Sequence, residues 1–252
     1  MKTVEQARVL LNEPVGPQVM RLRLAAPEIA CRARPGQFVN VKVSGSLAPL
    51  LRRPFGVAGL DAKAGTFDVI YRVIGEGTKT LAEAKPGAVL SVVGPLGNGF
   101  ACGGRGTLVV GGGLGLAPLL FLAQARPGCD VLMGGRTAAE LYWKTLFAPY
   151  ARRVHATTDD GSGGVKGTVM ALLPGLLQGG AYDALAVCGP EPMMRAVAAC
   201  AQEAGLTCEV SLERFMACGL GACLSCAFEG RNGRLKVCTD GPVFVSGRDL
   251  AW

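Results

Sequence analysis

The sequence predicts two folded units in series, an antiparallel β-barrel and then a parallel α/β sheet, closed by a small cysteine-rich tail. Three observations carry this. Up to about residue 100, short apolar stretches rich in β-branched residues are cut by Gly and Pro turns, the spacing of an all-β barrel. From about 101 to 210, strand-like and helix-like stretches alternate, which implies parallel strands with helices on both faces. From about 211 onward the chain is rich in Cys and Gly and too short to bury a sufficient core alone. The 252 residues suit two domains of ordinary size, and half of them are hydrophobic, enough for real cores.

In the first unit, residues 1–100, QVMRLRLAA, GQFVNVKVSG, FDVIYRVIG and GAVLSVVGPLG read as strands, with one helix over Thr78 to Ala84. The segment LLRRPFGVAG sets Arg52 and Arg53 before Pro54. Fixed arginines suit a diphosphate, although a solvated basic loop is the commoner fate of such a pair. IYRVIGEGTKTL supplies Tyr71, an aromatic able to stack on a flat ring, and then Arg72. It runs into Gly77 and Thr78 at a helix start, where backbone N–H groups favour an anion.

In the second unit, residues 101–210, TLVVGGG reads as a buried strand and APLLFLAQAR as a helix with Pro118 near its first turn. DVLMGG and AAELYWKTLFAPYA repeat the pair, and VHATTD, VMALLPGLL, ALAVCGP and PMMRAVAACAQEAG continue it. Gly111, Gly112, Gly113 and Gly115 would let a pyrophosphate approach the backbone between strand and helix. The run is not G-x-G-x-x-G, because Leu116 stands in the third glycine's place. No acidic residue ends the next strand, and Arg136 lies just beyond it instead. Cys188, Gly189 and Pro190 make a second such turn before a helix near Glu191. TTDDGS, which contains Thr158, falls on the same edge. Ligands of open parallel sheets bind beyond the carboxyl ends of the strands, so three turns on one rim mark a site. Taken singly, the first is also a plain tight turn and Cys188 a buried strand-end thiol.

The tail carries Cys218, Cys223, Cys226 and Cys238, spaced C-x4-C-x2-C-x11-C. The x4–x2 run is the plant-type [2Fe–2S] spacing. Gly219 and Gly221 permit a loop that wraps a cluster and points N–H groups at sulfur. Zinc competes, but structural zinc sites often pair two short knuckles and only one C-x2-C is present. Unligated cysteines are the third reading.

The formal charge of +7 is spread without a basic run, and aromatics are 6% of the chain. That excludes a clustered nucleic-acid interface and leaves solubility and attraction to acidic ligands. His155, the single histidine, sits in an apolar strand pattern and reads as structural, and no Ser/His/Asp set or paired acids point to hydrolysis. The first residues lack a signal-peptide pattern, and no run of ~18 apolar residues spans a membrane. A cytoplasmic, reducing location is expected, so the ten cysteines are not a disulfide framework. Cys129, Cys200 and Cys208 read as core residues.

In order, RRPFGV, IYRVIGEGT, GPLGNGF, VGGGLGLAPLLFLA, TDDGS, CGPEPMM, SLERFMACGLGACLSC and VCTDGPVF span nearly the whole chain. Together they resemble the electron-transfer subunits of class 1B dihydroorotate dehydrogenases, within the ferredoxin–NADP reductase superfamily. The resemblance implies a ferredoxin-reductase-like FAD-binding barrel over 1–100, an NAD-binding α/β domain over 101–210 and a [2Fe–2S] module over 211–252. It implies FAD contacts at Arg53, Pro54, Phe55 and Gly56, and at Ile70, Tyr71, Arg72, Gly77 and Thr78. The family motif is Arg-Pro-x-Ser, so Gly56 loses one hydroxyl contact. Gly111 to Gly115 and Cys188 to Glu191 match the nicotinamide side, with Cys188 near the nicotinamide, and the four tail cysteines match the cluster ligands.

The implied activity is NAD-linked oxidoreduction in pyrimidine biosynthesis. An FMN-containing catalytic partner oxidises dihydroorotate, and electrons pass through the cluster and FAD to NAD+, in an assembly with two copies of each subunit. One alternative is an FAD/[2Fe–2S] subunit of an NADPH-linked ferredoxin oxidoreductase or a sulfhydrogenase, because Arg136 suits a 2′-phosphate. Another is a zinc-stapled binding module on a degenerate reductase fold.

Overall fold

A computed structural model describes residues 2–46 and 48–252. The chain begins with β1 (Thr3–Gly16), β2 (Val19–Ala25), the short α1 (Pro27–Ala30) and β3 (Phe38–Val41). It continues through β4 (Arg53–Asp61), β5 (Thr66–Arg72), α2 (Glu76–Ala82) and β6 (Val89–Leu96). These strands close an antiparallel barrel in the order β1-β2-β5-β4-β3-β6. Alternation sends Leu22 and Leu24, Val39 and Val41, and Val69 and Tyr71 into the barrel core. Two strands escape the sequence reading. β1 carries exposed charge on its outer face, and β4 opens on an Arg-Pro pair. Both form because neighbours on each side complete their ladders.

The second unit runs β7 (Thr107–Gly112), α3 (Leu116–Ala125), β8 (Asp130–Gly135), α4 (Trp143–Phe147), β9 (Arg153–Thr158) and β10 (Val165–Lys166). Then come α5 (Leu173–Gln178), β11 (Ala184–Cys188), α6 (Glu191–Glu203) and β12 (Thr207–Ser211). Leu108, Val110, Leu185 and Val187 pack one face against Val197 and Ala201 of α6. Val109, Val131 and Ala186 pack the other against Leu119 of α3 and Phe147 of α4. The long helix expected over 138–151 is a correction. It is a 3-10 turn, Ala138–Tyr142, followed by the five-residue α4. Pro149 lacks the N–H that a continuing helix needs.

The tail adds a hairpin of β13 (Ala227–Gly230) and β14 (Gly233–Lys236), then β15 (Val243–Val245). It does not stand apart. β15 pairs antiparallel with β12, giving the order β10-β9-β8-β7-β11-β12-β15. Cys226, Val237, Cys238 and Phe244 share one core with Phe38 and Leu96 of the barrel and Val210 of the sheet. Asn98 staples the join. Its Nδ2 donates to the Asp240 and Val243 carbonyls at 3.0 and 2.8 Å, and its Oδ1 accepts from the Val243 N–H at 2.9 Å. The tail thus borrows the apolar surroundings its length denies it. Among the described residues, no helix is long and apolar enough to cross a membrane.

Candidate functional site

The three units meet at one cleft. Its walls are Pro54, Phe55, Gly56, Ile70, Arg72, Ile74 and Thr78 from the barrel, Leu114, Ala117 and Pro118 around the start of α3, and Glu213, Arg214, Met216 and Val237 from the tail. A Cβ at Gly56 would stand 3.4 Å from Pro118 Cβ, an ordinary contact, so the site admits a serine sterically. Arg53 lies across Gly77, where a Cβ would come within 2.5 Å of its Nε. A side chain there would displace the guanidinium. Thr78 Oγ1 accepts from the Ile74 and Gly75 N–H groups at 3.0 and 3.1 Å and shapes the start of α2. Arg52 turns the other way, donating to Ser91 O and Oγ at 2.6 and 2.9 Å, and pins β6.

Tyr71 corrects the stacking expectation. It contributes to the cleft wall but is 1% exposed. Its ring packs 5.5 Å from that of Phe55 and its hydroxyl donates to Asn12 Oδ1 at 3.0 Å. Burial pushes that hydroxyl up to about 12. The strand's period of two sends its ring inward, while Ile70 and Arg72 face out.

Arg72 also lines a second cavity, of about 520 Å³, on the rim of the parallel sheet. Gly112, Gly113, Gly134, Gly135, Arg136, Glu140, Asp159, Pro190 and Met193 are among its other lining residues. The two glycine turns touch backbone to backbone. A Cβ at Gly115 would lie 2.5 Å from the Cys188 carbonyl and the Gly189 nitrogen, and one at Gly189 would meet the Gly112 nitrogen at 3.0 Å. A Cβ at Gly111 would strike Leu116 at 2.5 Å. So Gly111, Gly115 and Gly189 stand behind the cavity wall and let it close up, while Gly112, Gly113 and Pro190 form the wall itself. Thr158 also stands behind it, buried, with its hydroxyl accepting from the Gly163 N–H at 3.0 Å. Glu191 points away, to Arg195 at 2.8 Å and Arg214 at 3.6 Å. Cys188 is fully buried, and burial, reinforced by the nearby Glu213 charge, pushes its thiol well above the usual range.

The acid that the sequence lacks at the end of β8 is present in space. Glu140, four residues past Arg136, accepts the Arg136 backbone N–H at 3.0 Å on one oxygen and the guanidinium Nε and Nη2 at 2.8 and 2.6 Å on the other. Burial opposes ionisation of Glu140, but its bonds to Arg136 outweigh this and hold the carboxyl below its usual range. The i,i+4 spacing of Arg136 and Glu140 was the available signal.

Of the four tail cysteines, Cys226 and Cys238 are buried, Cys218 is half-buried and Cys223 is exposed. Gly219 and Gly221 take φ of +70° and +91°, and Leu224 takes +60°. A Cβ on Gly219 would stand 2.9 Å from Asn40 Nδ2. Glycine therefore seats the loop on the barrel, where Asn40 donates to the Cys218 carbonyl at 3.3 Å. The Leu220 N–H donates to Cys218 Sγ at 3.3 Å. Ser225 Oγ lies 3.2 Å from Cys223 Sγ. That contact, with help from Cys218, brings the exposed Cys223 thiol down to about 6. Burial, reinforced by neighbouring Cys226, pushes the Cys238 thiol up to about 11. Four thiols at this spacing are the donor set of a [2Fe–2S] group, so these residues fit it.

Solved structures of similar fold include ferredoxin reductases. The oxidoreductase of "Insights into flavin-based electron bifurcation via the NADH-dependent reduced ferredoxin-NADP oxidoreductase structure" matches with a TM-score of 0.82 and 29% identity, over 96% of this chain and 89% of that one. The ferredoxin reductase in carbazole 1,9a-dioxygenase matches with a TM-score of 0.66 at 22% identity, over 81% and 67%, a likeness of fold. Residues 7–100 match the oxidoreductase FAD-binding domain. Fold and cleft therefore define a ferredoxin-reductase-like flavin oxidoreductase. Residues 213–248 match the iron-sulfur cluster binding domain of dihydroorotate dehydrogenase B. Proteins named dihydroorotate dehydrogenase B (NAD(+)), electron transfer subunit, are 39% identical in Desulforamulus reducens, over 98% of both chains, and 38% identical in Bacillus caldolyticus, over 96% of this chain and 97% of that one. The chain belongs to the family of electron transfer subunits of dihydroorotate dehydrogenase B (NAD(+)). It is an oxidoreductase subunit that works with a catalytic partner.

Proposed function

We propose that this chain carries electrons from the FMN of a dihydroorotate-oxidising catalytic subunit, through its own [2Fe–2S] cluster and FAD, to NAD+, in pyrimidine biosynthesis. The single observation that carries this reading is the shared cleft. Barrel, sheet and the tail residues that flank the cysteine loop, Met216 and Val237, each supply a wall, and Arg72 belongs to both the cleft and the rim cavity. The cofactors supply one-electron and hydride chemistry that side chains lack. The chain's part is to hold and orient them.

Three working units serve this, 1–100 for FAD, 101–210 for NAD+ and 211–252 for the cluster. Arg53, Pro54, Phe55, Gly56, Ile70, Tyr71, Arg72, Gly77 and Thr78 form the FAD side. Gly111, Gly112, Gly113, Gly115, Thr158, Cys188, Gly189, Pro190 and Glu191 form or brace the dinucleotide side. Cys218, Cys223, Cys226 and Cys238 hold the cluster. Around that loop Phe215 is 96% exposed, and Leu220 and Leu224 are about half exposed. This apolar rim suits burial against the catalytic subunit, in an assembly with two copies of each. All ten thiols are free, which suits a reducing cytoplasm.

The likeness to the NADH-dependent ferredoxin-NADP oxidoreductase supports a second reading, the reductase subunit of another NAD(P)H-linked complex. Relatives at 38–39% identity over nearly full length weigh for the first. The test is to co-express the chain with a class 1 dihydroorotate dehydrogenase catalytic subunit and assay purified protein for cofactors and turnover. The expected result is flavin bands, broad cluster absorption and dihydroorotate-dependent NAD+ reduction. A colourless, zinc-containing protein, or one that never associates with the catalytic subunit, would refute it.

A further inference from the structure

In doubly wound sheets the strand next to the glycine-turn strand decides which dinucleotide binds. An acid at its end takes the ribose 2′-hydroxyl, and an arginine nearby takes a 2′-phosphate. Here that strand is β8, the neighbour of β7. Its end presents Arg136, whose side chain is 73% exposed. Read alone, Arg136 invites a phosphate. The structure commits it elsewhere, because Glu140 takes its backbone N–H and its guanidinium together.

That carboxylate is built in. The Glu140 N–H bonds to the Thr137 carbonyl at 3.0 Å, and Ser162 Oγ fixes the same turn through the Ala138 N–H at 2.8 Å. A side chain at Gly135 would crowd Glu140 Cβ at 3.2 Å, so glycine leaves the carboxylate its seat. Asp159, the second acid of the cavity, is held by its N–H on the Gly135 carbonyl at 3.0 Å. The remaining charge is Arg72, which also faces the flavin cleft and suits the pyrophosphate common to both dinucleotides.

We propose that Glu140 makes this cavity select NAD(H) over NADP(H), by spending Arg136 in an ion pair and presenting a carboxylate where a 2′-phosphate would sit. A free 2′-hydroxyl donates to a carboxylate there. A 2′-phosphate meets Glu140 and Asp159 as like charges, and Arg136 can turn fully to it only by giving up its two guanidinium bonds to Glu140. The inference rests on the rim cavity being the dinucleotide site.

The experiment measures equilibrium Kd and kcat/KM for NADH and NADPH on the flavin- and cluster-loaded protein, for wild type, Glu140→Gln and Glu140→Gln with Arg136→Ala. Glu140→Gln keeps the shape and frees Arg136. It is expected to raise the NADPH-to-NADH ratio of both quantities at least about tenfold, and removing Arg136 as well is expected to cancel the gain. Glu140→Ala carries the same expectation if the amide variant does not fold. Hydrogen exchange separates the two readings. NADH should protect the amides of Gly112 and of Gly134 to Arg136 in the wild type. Missing protection there would overturn the dinucleotide site itself. Protection present, with the ratio unmoved in both Glu140 variants, would overturn the role of Glu140 alone.

Discussion

Cys223 and Cys188 are the same residue in opposite settings. Cys223 stands exposed on a loop without regular structure, with Ser225 drawing its thiol down to about 6. Cys188 ends a central strand, fully buried, with its thiol pushed well up by burial. The contrast extends to their regions. The cluster loop does chemistry with side chains and uses backbone only to aim them. The rim works through backbone, with glycines letting two turns touch and side chains largely bonded to one another. Under the proposed function, electron entry rests on residue types at fixed spacing, while dinucleotide binding rests on how the fold brings distant turns together.

The sharpest way to break this comparison is to remove one thiol from each region. Cys223→Ser is expected to cut bound iron from about two atoms per chain to near zero. Flavin content should persist, and dihydroorotate-dependent NAD+ reduction should fall at least about a hundredfold, since the electron path is cut. Cys188→Ala should keep its iron. Retained iron in the Cys223 variant, by metal analysis, would contradict the ligand assignment.

Thiol labelling sharpens the same contrast with a smaller effect. In cluster-free protein at neutral pH, iodoacetamide is expected to alkylate Cys223 on the order of a hundredfold faster than Cys188, read by peptide mass spectrometry. Cys223's folded pKa lies below its unfolded value. Its thiolate therefore dominates above about 6, and its labelling rate and stabilising contribution are both lost as pH falls through about 6. Equal labelling of the two would erase the distinction.

Two structural variants follow in size. Gly115→Ala puts a Cβ against the Cys188 carbonyl with no side chain to yield, and is expected to destabilise by about 3 kcal/mol in urea unfolding and weaken NADH binding. Asn98→Ala removes three bonds from a partly exposed site. About 1–2 kcal/mol is expected, with iron lost more readily to a chelator because the tail is no longer stapled.

The same contrast explains what the sequence discloses. Cys218, Cys223, Cys226 and Cys238 are legible because a cluster imposes local spacing on its ligands. The glycine turns are legible because strand and helix periods flank them. Glu140 shows in the sequence only as the i,i+4 partner of Arg136, since its place on the rim comes from a 3-10 turn that replaces an expected helix. Asn98 reads as a turn residue until the tail's last strand is seen folded back onto β12. Tyr71 carries the right side chain for stacking, but barrel closure decides which way it points. β1 depends on β6, far along the chain, and β4 on the strands on either side of it.

The central claim is that one cleft couples the dinucleotide rim to the cluster loop through the flavin. Anaerobic titration of the loaded protein with NADH, followed by visible absorption and by electron paramagnetic resonance, tests it most directly. The account predicts that the flavin bands bleach and that a reduced [2Fe–2S] signal appears in the same sample, and that in the Cys223→Ser variant the flavin still bleaches while the [2Fe–2S] signal is lost. A cluster that stays oxidised beside a fully bleached flavin, at any NADH excess, would contradict it.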